Sequence, residues 1–302
     1  MINGMINVYK ERGFTSFDVV AKLRGILHVK KIGHTGTLDP DATGVLPICV
    51  GSATKVCELL TDKDKVYEAV LHLGVTTDTE DATGQVLRDD SEHARLLSEE
   101  AVRNAIESFV GTYAQVPPMY SALKVNGQKL CDLARKGMTV ERKARNVTIY
   151  SIEIKKMELP FVTMQVHCSK GTYIRTLCAD IGEKLGVGGS MESLVRTRVS
   201  VFRLEEAHTL AQIEEYCKQD ELSKLMMSVD SLFGDLPKLH VKQGAFGLLQ
   251  NGNRLRDRDF LEETQGVENR ALVYSPDNCF YAIYQYDSST HNFKVYKMFG
   301  EG

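Results

Sequence analysis

The 302-residue sequence has no long apolar run, no paired cysteines and no excess of basic residues. No apolar stretch approaches the ~18 residues that a membrane-spanning helix requires, so no membrane association is expected. The N-terminal residues do not combine a basic segment with an apolar one, and no secretory signal is predicted. The seven cysteines are scattered and form no C-x-x-C pair, which indicates reduced thiols in a cytoplasmic protein.

Several motifs that define common ligand sites are also missing. The glycine-rich segment at 33–36 does not continue into a G-x-x-x-x-G-K-[ST] phosphate-binding loop, and no G-x-G-x-x-G fingerprint follows a strand. The sequence contains no H-E-x-x-H motif, no Cys/His cluster and no G-x-S-x-G motif. The acidic segment at 78–84 places Ala82 where a calcium loop needs an oxygen ligand. We therefore expect no metal site.

Charge is unevenly distributed along the chain. The formal net charge is −3 and the pI is about 6.3, so the bulk charge does not indicate a nucleic-acid partner. The stretch at 124–145, however, carries two acidic residues and seven basic ones, namely Lys124, Lys129, Arg135, Lys136, Arg142, Lys143 and Arg145. Such a stretch can neutralise phosphates, although a solvated surface is the commoner explanation for any single run.

Length and periodicity predict a mixed α/β protein of about two domains. Helical spacing predicts helices at 16–27, 98–110, 129–135 and 173–186 and from residue 209, with N-caps at Ser16, Ser98, Thr172 and Thr209. Alternation predicts strands at 65–75, 145–157, 161–168 and 194–203. After about residue 230, short alternating segments predict a small β-rich domain. Because strands are joined by turns as well as helices, a mixed sheet is favoured over a doubly wound parallel one.

The loop GHTGTLDPDATG at 33–44 carries an unusual combination of residues. A turn is the usual reason for an Asp-Pro pair among glycines. Alternatively, Asp39 acts as a nucleophile or general base, which requires a cationic partner to keep it ionised when substrate excludes water. Arg175 is a candidate partner because it is predicted in the first turn of a helix, where the helix dipole disfavours a cation. A surface position is the alternative for Arg175.

The sequence resembles the tRNA pseudouridine synthases of the TruB type in four long segments. These are GHTGTLDPDATGVLPICVGSATK at 33–55, KVYEAVLHLGVTTDTEDATG at 65–84, QVPPMYSALKVNGQKL at 115–130 and SKGTYIRTLCADIGEKLG at 169–186. Enzymes of this type convert uridine to pseudouridine at position 55 in the TΨC loop of tRNA. The resemblance covers most of residues 8–203, and a weaker resemblance to a PUA-type RNA-binding domain begins at about residue 234.

The resemblance implies a fold, a domain division and a substrate. The expected pseudouridine synthase fold has a central mixed, largely antiparallel sheet flanked by helices. A catalytic domain is expected at 1–230, including an RNA-gripping thumb at about 115–145, and a small β-rich PUA-like domain at 234–302. The expected substrate is tRNA, bound by a monomer that needs no protein partner. No cofactor is expected, because the isomerisation only rearranges bonds.

The resemblance also implies roles for individual residues. Asp39 is the expected catalytic carboxylate, Arg175 its partner, and Tyr67 the aromatic residue that stacks on the target base. The remaining implied positions are Tyr173 and Leu194 lining the uridine pocket, His34 contacting the flipped nucleotide region, Lys10 as a supporting residue, and the seven basic residues of the thumb as RNA contacts. For the tyrosines and His34, the residues alone favour core packing and loop hydrogen bonding.

Two alternative functions are weighed against this one. An RNA-binding or chaperone protein would not need the catalytic residues, and Asp39, Tyr67 and Arg175 are all present. A guide-directed relative of the family would be expected to carry large basic tails and partner-binding extensions, which the sequence lacks. A stand-alone enzyme is therefore preferred.

Overall fold

The structure is a computed structural model, and it describes residues 2–125 and 127–300. Residues 1, 126, 301 and 302, which belong to the predicted domains at 1–230 and 234–302, lie outside the described residues. The α-helices of the described ranges are α1 Ser16–Leu27, α2 Cys57–Thr61, α3 Ser91–Arg95, α4 Glu99–Glu107, α5 Leu130–Ala134, α6 Ile174–Lys184, α7 Leu210–Lys218 and α8 Phe246–Gln250.

The strands precede, separate and follow these helices. In the first half of the chain they are β1 Gly4–Lys10, β2 Ile32–His34, β3 Thr43–Val50, β4 Lys65–Leu73, β5 Val75–Thr77, β6 Val86–Asp89, β7 Gly111–Gln115, β8 Lys124–Val125 and β9 Gln128–Lys129. In the second half they are β10 Arg145–Glu158, β11 Phe161–Cys168, β12 Gly189–Val199, β13 Phe202–Arg203, β14 Met226–Met227, β15 Lys238–His240, β16 Arg270–Tyr274, β17 Phe280–Asp287 and β18 Asn292–Met298.

One large sheet forms the centre of the molecule. Its strands run in the order β14-β1-β3-β12-β4-β11-β10-β7, with β2 added to β3 and β13 added to β12. Within it, β3 and β12 are parallel and the other pairs are antiparallel. Helices α4 and α6 contribute to the apolar core that contains β4, β11 and β12, and α1 and α7 contribute to a second core with β1 and β3. The predicted mixed, largely antiparallel sheet is confirmed.

Most predicted strands are confirmed, but the strand predicted at 194–203 is wrong at both ends. Strand β12 begins earlier, at Gly189, and stops at Val199. The chain then turns through Ser200, whose φ of +52° lies in the left-handed region, and returns as β13. Residues 198 and 199 therefore pair with 203 and 202 across a tight hairpin. Periodicity did not reveal this turn because no glycine, proline or asparagine marks it.

Two of the four predicted helix caps are wrong. The cap of α1 is Thr15, whose hydroxyl accepts the Asp18 N–H while the Asp18 carboxylate accepts the Thr15 N–H. The cap position of α6 is Tyr173 instead of Thr172, and its side chain makes no capping hydrogen bond. The caps predicted at Ser98 and Thr209 are confirmed. A shift of one residue matters at α1, because it releases Ser16 for another contact.

The C-terminal residues form a separate four-stranded sheet in the described part of the chain, in the order β15-β16-β17-β18. One face covers its own apolar core, and the other packs on the large sheet. In this second contact Leu272 and Ile283 share a buried cluster with Met5, Val45 and Phe202. Cys49, Cys168 and Cys178 are fully buried.

Candidate active site

The loop between β2 and β3 carries Asp39 and is held by side chains from the N-terminal part of the chain. The hydroxyl of Ser16, which is free because Thr15 caps the helix, accepts the N–H of Leu38 at 2.9 Å. The N–H of Ala42 reaches the Asp39 carbonyl at 3.2 Å, which closes a turn around Pro40. The turn expected at this Asp-Pro pair is therefore present, and it serves to present the Asp39 side chain.

Lys10 is fully buried directly behind this turn. Its ammonium group donates to the carbonyl oxygens of Pro40 at 2.9 Å, Phe14 at 2.6 Å and Glu11 at 3.2 Å. Burial lowers the pKa of Lys10 to about 8, against the opposing attraction of Asp39 and Asp41. The Pro40 contact ties the Asp39 loop to the segment after β1, whose Glu11 and Phe14 carbonyls bind the same ammonium group. The supporting role of Lys10 stays a prediction.

Asp39 and Arg175 form an ion pair with two contacts. The Nε of Arg175 lies 3.1 Å from Asp39 Oδ2, and its Nη2 donates to Asp39 Oδ1 at 3.4 Å. The guanidinium reaches the loop from the first turn of α6 and is only 6% exposed, whereas 40% of the Asp39 side chain is exposed. The structure thus joins two residues that are 136 positions apart in sequence. The surface position considered for Arg175 is excluded.

A second carboxylate, Asp81, lies on the other side of Arg175. Arg175 Nη1 is 3.4 Å from Asp81 Oδ2 and donates to the Thr79 carbonyl at 3.2 Å, while Nη2 donates to the Tyr120 carbonyl at 2.8 Å. Asp81 is itself held by Thr83, whose N–H donates at 3.0 Å. Sequence reasoning missed Asp81, although it lies in the segment at 65–84 that carried the family resemblance.

The surroundings of Asp39 act on its pKa in opposite directions. Desolvation by the loop and α6 raises the pKa, Arg175 lowers it, and the nearby negative charge of Asp81 raises it again, with a net increase. A carboxylate that is poorly hydrated yet held by a guanidinium is more basic and more nucleophilic than one in water. The site can therefore attack a carbon centre or accept a proton.

Tyr67 and Leu194 lie on neighbouring strands of the central sheet, next to the loop that carries Asp39. Tyr67 is 7% exposed on β4, and it packs in one buried cluster with Leu38 and Leu194. Directly opposite Tyr67 on β12 is Arg196, a buried cation that sequence reasoning did not select. Burial raises the pKa of Tyr67, and Arg196 opposes that increase.

Arg196 also holds the backbone of the Asp39 loop. Its guanidinium donates to the carbonyls of Val45 at 2.7 Å, Gly36 at 3.3 Å and Thr37 at 3.4 Å. Strand β12 approaches so closely here that a Cβ at Gly44, which has φ +104°, would lie 2.3 Å from the Arg196 carbonyl oxygen. Only glycine fits at this position, which explains the end of the glycine-rich motif.

His34 and Tyr173 occupy half-buried positions. The Nδ1 of His34 accepts the Gly36 N–H at 3.3 Å, and burial lowers the pKa of His34, so the ring is neutral at pH 7. Tyr173 immediately precedes α6, and burial raises the pKa of its hydroxyl while Arg175 lowers it. The loop hydrogen bond expected of His34 is present, and its contact with a nucleotide stays a prediction.

The predicted thumb contains the β8–β9 hairpin and α5. Six of its seven basic residues are exposed, namely Lys124, Lys129, Arg135, Lys136, Lys143 and Arg145. Arg142 differs because it is half-buried and donates to the Pro117 carbonyl at 2.9 Å. Arg135 lies 3.6 Å from Asp132, an exposed ion pair that a phosphate could replace.

Within residues 2–125 and 127–300, no group of three or more His, Cys, Asp or Glu side chains is arranged to hold a metal ion. In the same ranges, no helix has both the length and the apolar character needed to span a membrane. The side chains that the site brings together are the carboxylates of Asp39 and Asp81, the guanidinium of Arg175 and the buried Tyr67 with Arg196 opposite it.

Comparison with known proteins assigns the chain to a family. The family described as "TruB family pseudouridylate synthase (N terminal domain)" matches residues 24–174. The description "tRNA pseudouridylate synthase B C-terminal domain" matches residues 175–234 directly after it. The two matches together include every site residue predicted from the sequence except Lys10. The chain belongs to the TruB family of pseudouridylate synthases.

Relatives and solved structures agree with this assignment over almost the whole chain. The chain is 54% identical to "tRNA pseudouridine synthase B" of Lachnoclostridium phytofermentans, over 99% of this chain and all of that protein. It is 42% identical to the protein of the same name in Clostridium tetani, over 98% and 99%. The structure titled "Crystal Structure of a Cbf5-Nop10-Gar1 Complex" is 28% identical with a TM-score of 0.73, covering 99% of this chain and 85% of that one. The predicted pseudouridine synthase fold is confirmed.

Proposed function

We propose that the protein isomerises uridine to pseudouridine at position 55, in the TΨC loop of tRNA. The observation that carries the proposal is the Asp39–Arg175 ion pair, with 3.1 Å between Nε and Oδ2. The guanidinium is buried, and the carboxylate is partly exposed. Family membership supplies the reaction class, and relatives named tRNA pseudouridine synthase B supply the substrate class. This pair has the chemistry that the reaction needs, because an ionised carboxylate must reach the nucleoside while a cation keeps it charged.

The target base must first leave the stacked loop. Extrusion of a nucleotide costs a few kcal/mol, and stacking of a base on an aromatic side chain returns about 1–3 kcal/mol. In our proposal Tyr67 supplies the stacking surface, Leu194 and Tyr173 line the pocket, and His34 contacts the flipped nucleotide region. The neutral His34 ring and the apolar Leu194 suit an uncharged base.

Asp39 then begins the rearrangement, in which the bond from ribose C1′ to N1 breaks and a bond from C1′ to C5 forms, while C5 loses its proton and N1 gains one. The carboxylate attacks C1′ or C6, or removes the C2′ proton; these alternatives stay open. In this proposal Arg175 holds the carboxylate ionised and aimed, and Tyr67 exchanges a proton with the base. Atoms are conserved between substrate and product, so the reaction as proposed uses no cofactor and no metal.

The rest of the chain would hold the tRNA. We assign residues 1–230 to the catalytic domain, the segment at about 115–145 to its thumb, and residues 234–302 to a PUA-like RNA-binding domain. The exposed basic residues of the thumb would contact backbone phosphates of the TΨC stem-loop. The enzyme would act as a cytoplasmic monomer, without the kind of protein partner that the Cbf5 complex title names.

The test is to incubate the protein with an unmodified tRNA transcript and map pseudouridine by carbodiimide-dependent reverse-transcription stops. The expected result is a stop at position 55, which Asp39→Asn abolishes while tRNA affinity and melting temperature are retained. Asp41→Asn is the matched control, because Asp41 is exposed in the same loop and its variant should remain active. Normal turnover by Asp39→Asn would refute the role of Asp39, and tRNA binding by the wild-type protein without any stop would refute the function.

A further inference from the structure

Gln115 is a buried amide between the predicted thumb and α6. It is the last residue of β7 and is 2% exposed. Its Oε1 accepts the Tyr173 N–H at 2.8 Å, its Nε2 donates to the Tyr173 carbonyl at 3.0 Å, and Nε2 also contacts the Tyr113 hydroxyl. Each polar atom of this amide is therefore used to hold the residue that immediately precedes α6.

The contact with Gln115 takes the place of a side-chain cap at the N-terminus of α6. Tyr173 occupies the cap position of α6 but makes no capping hydrogen bond with its side chain, and the first turn contains no acidic residue. Helix termini leave backbone N–H groups without intrahelical partners, so the position of this end depends on groups outside the helix. Gln115 supplies such a group from 58 residues away. Arg175 lies two residues beyond Tyr173, in the turn that Gln115 holds.

The segment that follows Gln115 also contacts Arg175. The Tyr120 carbonyl accepts Arg175 Nη2 at 2.8 Å, which is shorter than the contacts of that guanidinium with Asp39, Thr79 and Asp81. At the C-terminal end of the thumb, Arg145 on β10 pairs with Gln115 on β7, and Arg142 donates to the Pro117 carbonyl. The first and last residues of the thumb, Gln115 and Arg145, are thus paired. From this point the amide of Gln115 contacts Tyr173, and the main chain that follows reaches Arg175 through the Tyr120 carbonyl.

We propose that Gln115 is a positioning residue for the isomerisation: its amide couples the root of the thumb to the start of α6 and so aims Arg175 at Asp39. The inference rests on the proposed function, because it concerns the rate of that reaction. Gln115 touches neither the substrate nor the reacting atoms in this account. Its effect should therefore appear in the chemical step, and the affinity for tRNA should change little.

Two substitutions and one control test the proposal. Gln115→Leu removes both hydrogen bonds to Tyr173 at similar volume. Gln115→Glu keeps the acceptor, and its carboxyl can replace the amide donor only while it is protonated. Gln219→Leu is the control, because Gln219 is exposed directly after α7 and its side-chain amide donates to the exposed Glu215. Single-turnover rates at saturating enzyme, tRNA dissociation constants and melting temperatures are measured for all three variants.

We expect Gln115→Leu to lower the single-turnover rate about tenfold to a hundredfold, since small misplacements of catalytic groups have effects of this size. Its tRNA dissociation constant should stay within about twofold of wild type, because Gln115 does not touch the RNA in this proposal. For Gln115→Glu, the rate relative to wild type should be highest at acidic pH and fall as the introduced carboxyl ionises beside the Tyr173 carbonyl. The charged groups that face this amide are Asp180 near Tyr113, and Arg175, Arg145 and Asp39 near Tyr173, so the pH profile of Gln115→Glu is read as its difference from the wild-type profile.

Three results would overturn the proposal: a wild-type rate in Gln115→Leu, a loss confined to tRNA affinity, or a loss that matches the unfolded fraction. If Gln115→Leu does not fold, a ratio for Gln115→Glu that is independent of pH overturns it instead. Failure of the proposed function is distinguishable, because the wild-type protein would then give no pseudouridine in the same assay.

Discussion

Arg175→Lys tests the site most directly, because it keeps the positive charge and removes the geometry. The guanidinium contacts two carboxylates and two carbonyl oxygens, those of Asp39, Asp81, Thr79 and Tyr120. A lysine ammonium is a single point with three donors, and it cannot face Asp39 with two N–H groups while reaching Asp81. The variant should therefore fold and bind tRNA but hold Asp39 loosely.

The magnitude follows from the bonds that are lost. A hydrogen bond to a charged group contributes about 1.5–3 kcal/mol, and the variant loses the equivalent of one or two of them. Because about 1.4 kcal/mol corresponds to a tenfold change in rate, a loss of about 3 kcal/mol lowers the rate roughly 10²-fold. The pH profile should move as well. Arg175 lowers the pKa of Asp39 against burial, so a weaker contact raises that pKa further, and activity is lost at a higher pH on the acidic side.

The assay is the single-turnover rate of pseudouridine formation between pH 5 and pH 9. Arg198→Lys is the control, since Arg198 forms a half-exposed ion pair with Asp64 at 2.9 Å on the same strand as Arg196. A rate for Arg175→Lys within about threefold of wild type, with the acidic limb unmoved, would show that two-point contact with Asp39 does not matter.

Two further predictions concern the other parts of the molecule. Burial lowers the pKa of His240, but hydrogen bonds to Asn278 and Glu262 outweigh it and the net pKa is raised; the resulting stabilisation is present below the unfolded pKa and lost as pH rises through the folded one. Glu262→Gln should therefore lower the free energy of unfolding at pH 5.5 more than at pH 8, by no more than about 1 kcal/mol for this partly exposed pair. Melting temperatures at the two pH values measure the difference, and an equal effect at both would contradict the assignment. Lys124→Ala should reduce the slope of log affinity against log salt by about 0.7–0.9 without changing the chemical rate, whereas Lys218→Ala, paired with Glu214 on α7, should change neither.

Local patterns in the sequence predicted elements well where the cause was local. The capping signals at Ser98 and Thr209 are confirmed, as are the alternating strands that became β10 and β11. The cap of α1 was predicted wrongly because two neighbours offered equivalent choices. Thr15 and Ser16 are both good capping residues, and tertiary contact decided between them because the Ser16 hydroxyl meets the Leu38 N–H.

Residues that act through distant contacts were the hardest to predict. Arg196 and Gln115 look like ordinary members of strands, and their importance comes from partners 58 to 160 positions away. No periodicity or motif measures such a distance. Asp81 was within a segment selected for its resemblance, yet its tie to Arg175 required the two segments to be packed together.

By itself, the sequence determined the segments, the glycine-bounded turn that presents Asp39, and the family to which the motifs belong, because short-range backbone sterics and hydrophobic period are local properties. Only the tertiary structure decided that Arg175 stands between Asp39 and Asp81, that Arg196 lies opposite Tyr67, and that the thumb root meets α6. The physical reason is that an ion pair or a buried amide is made by convergence of distant chain segments, and that convergence is set by the packing of the whole sheet.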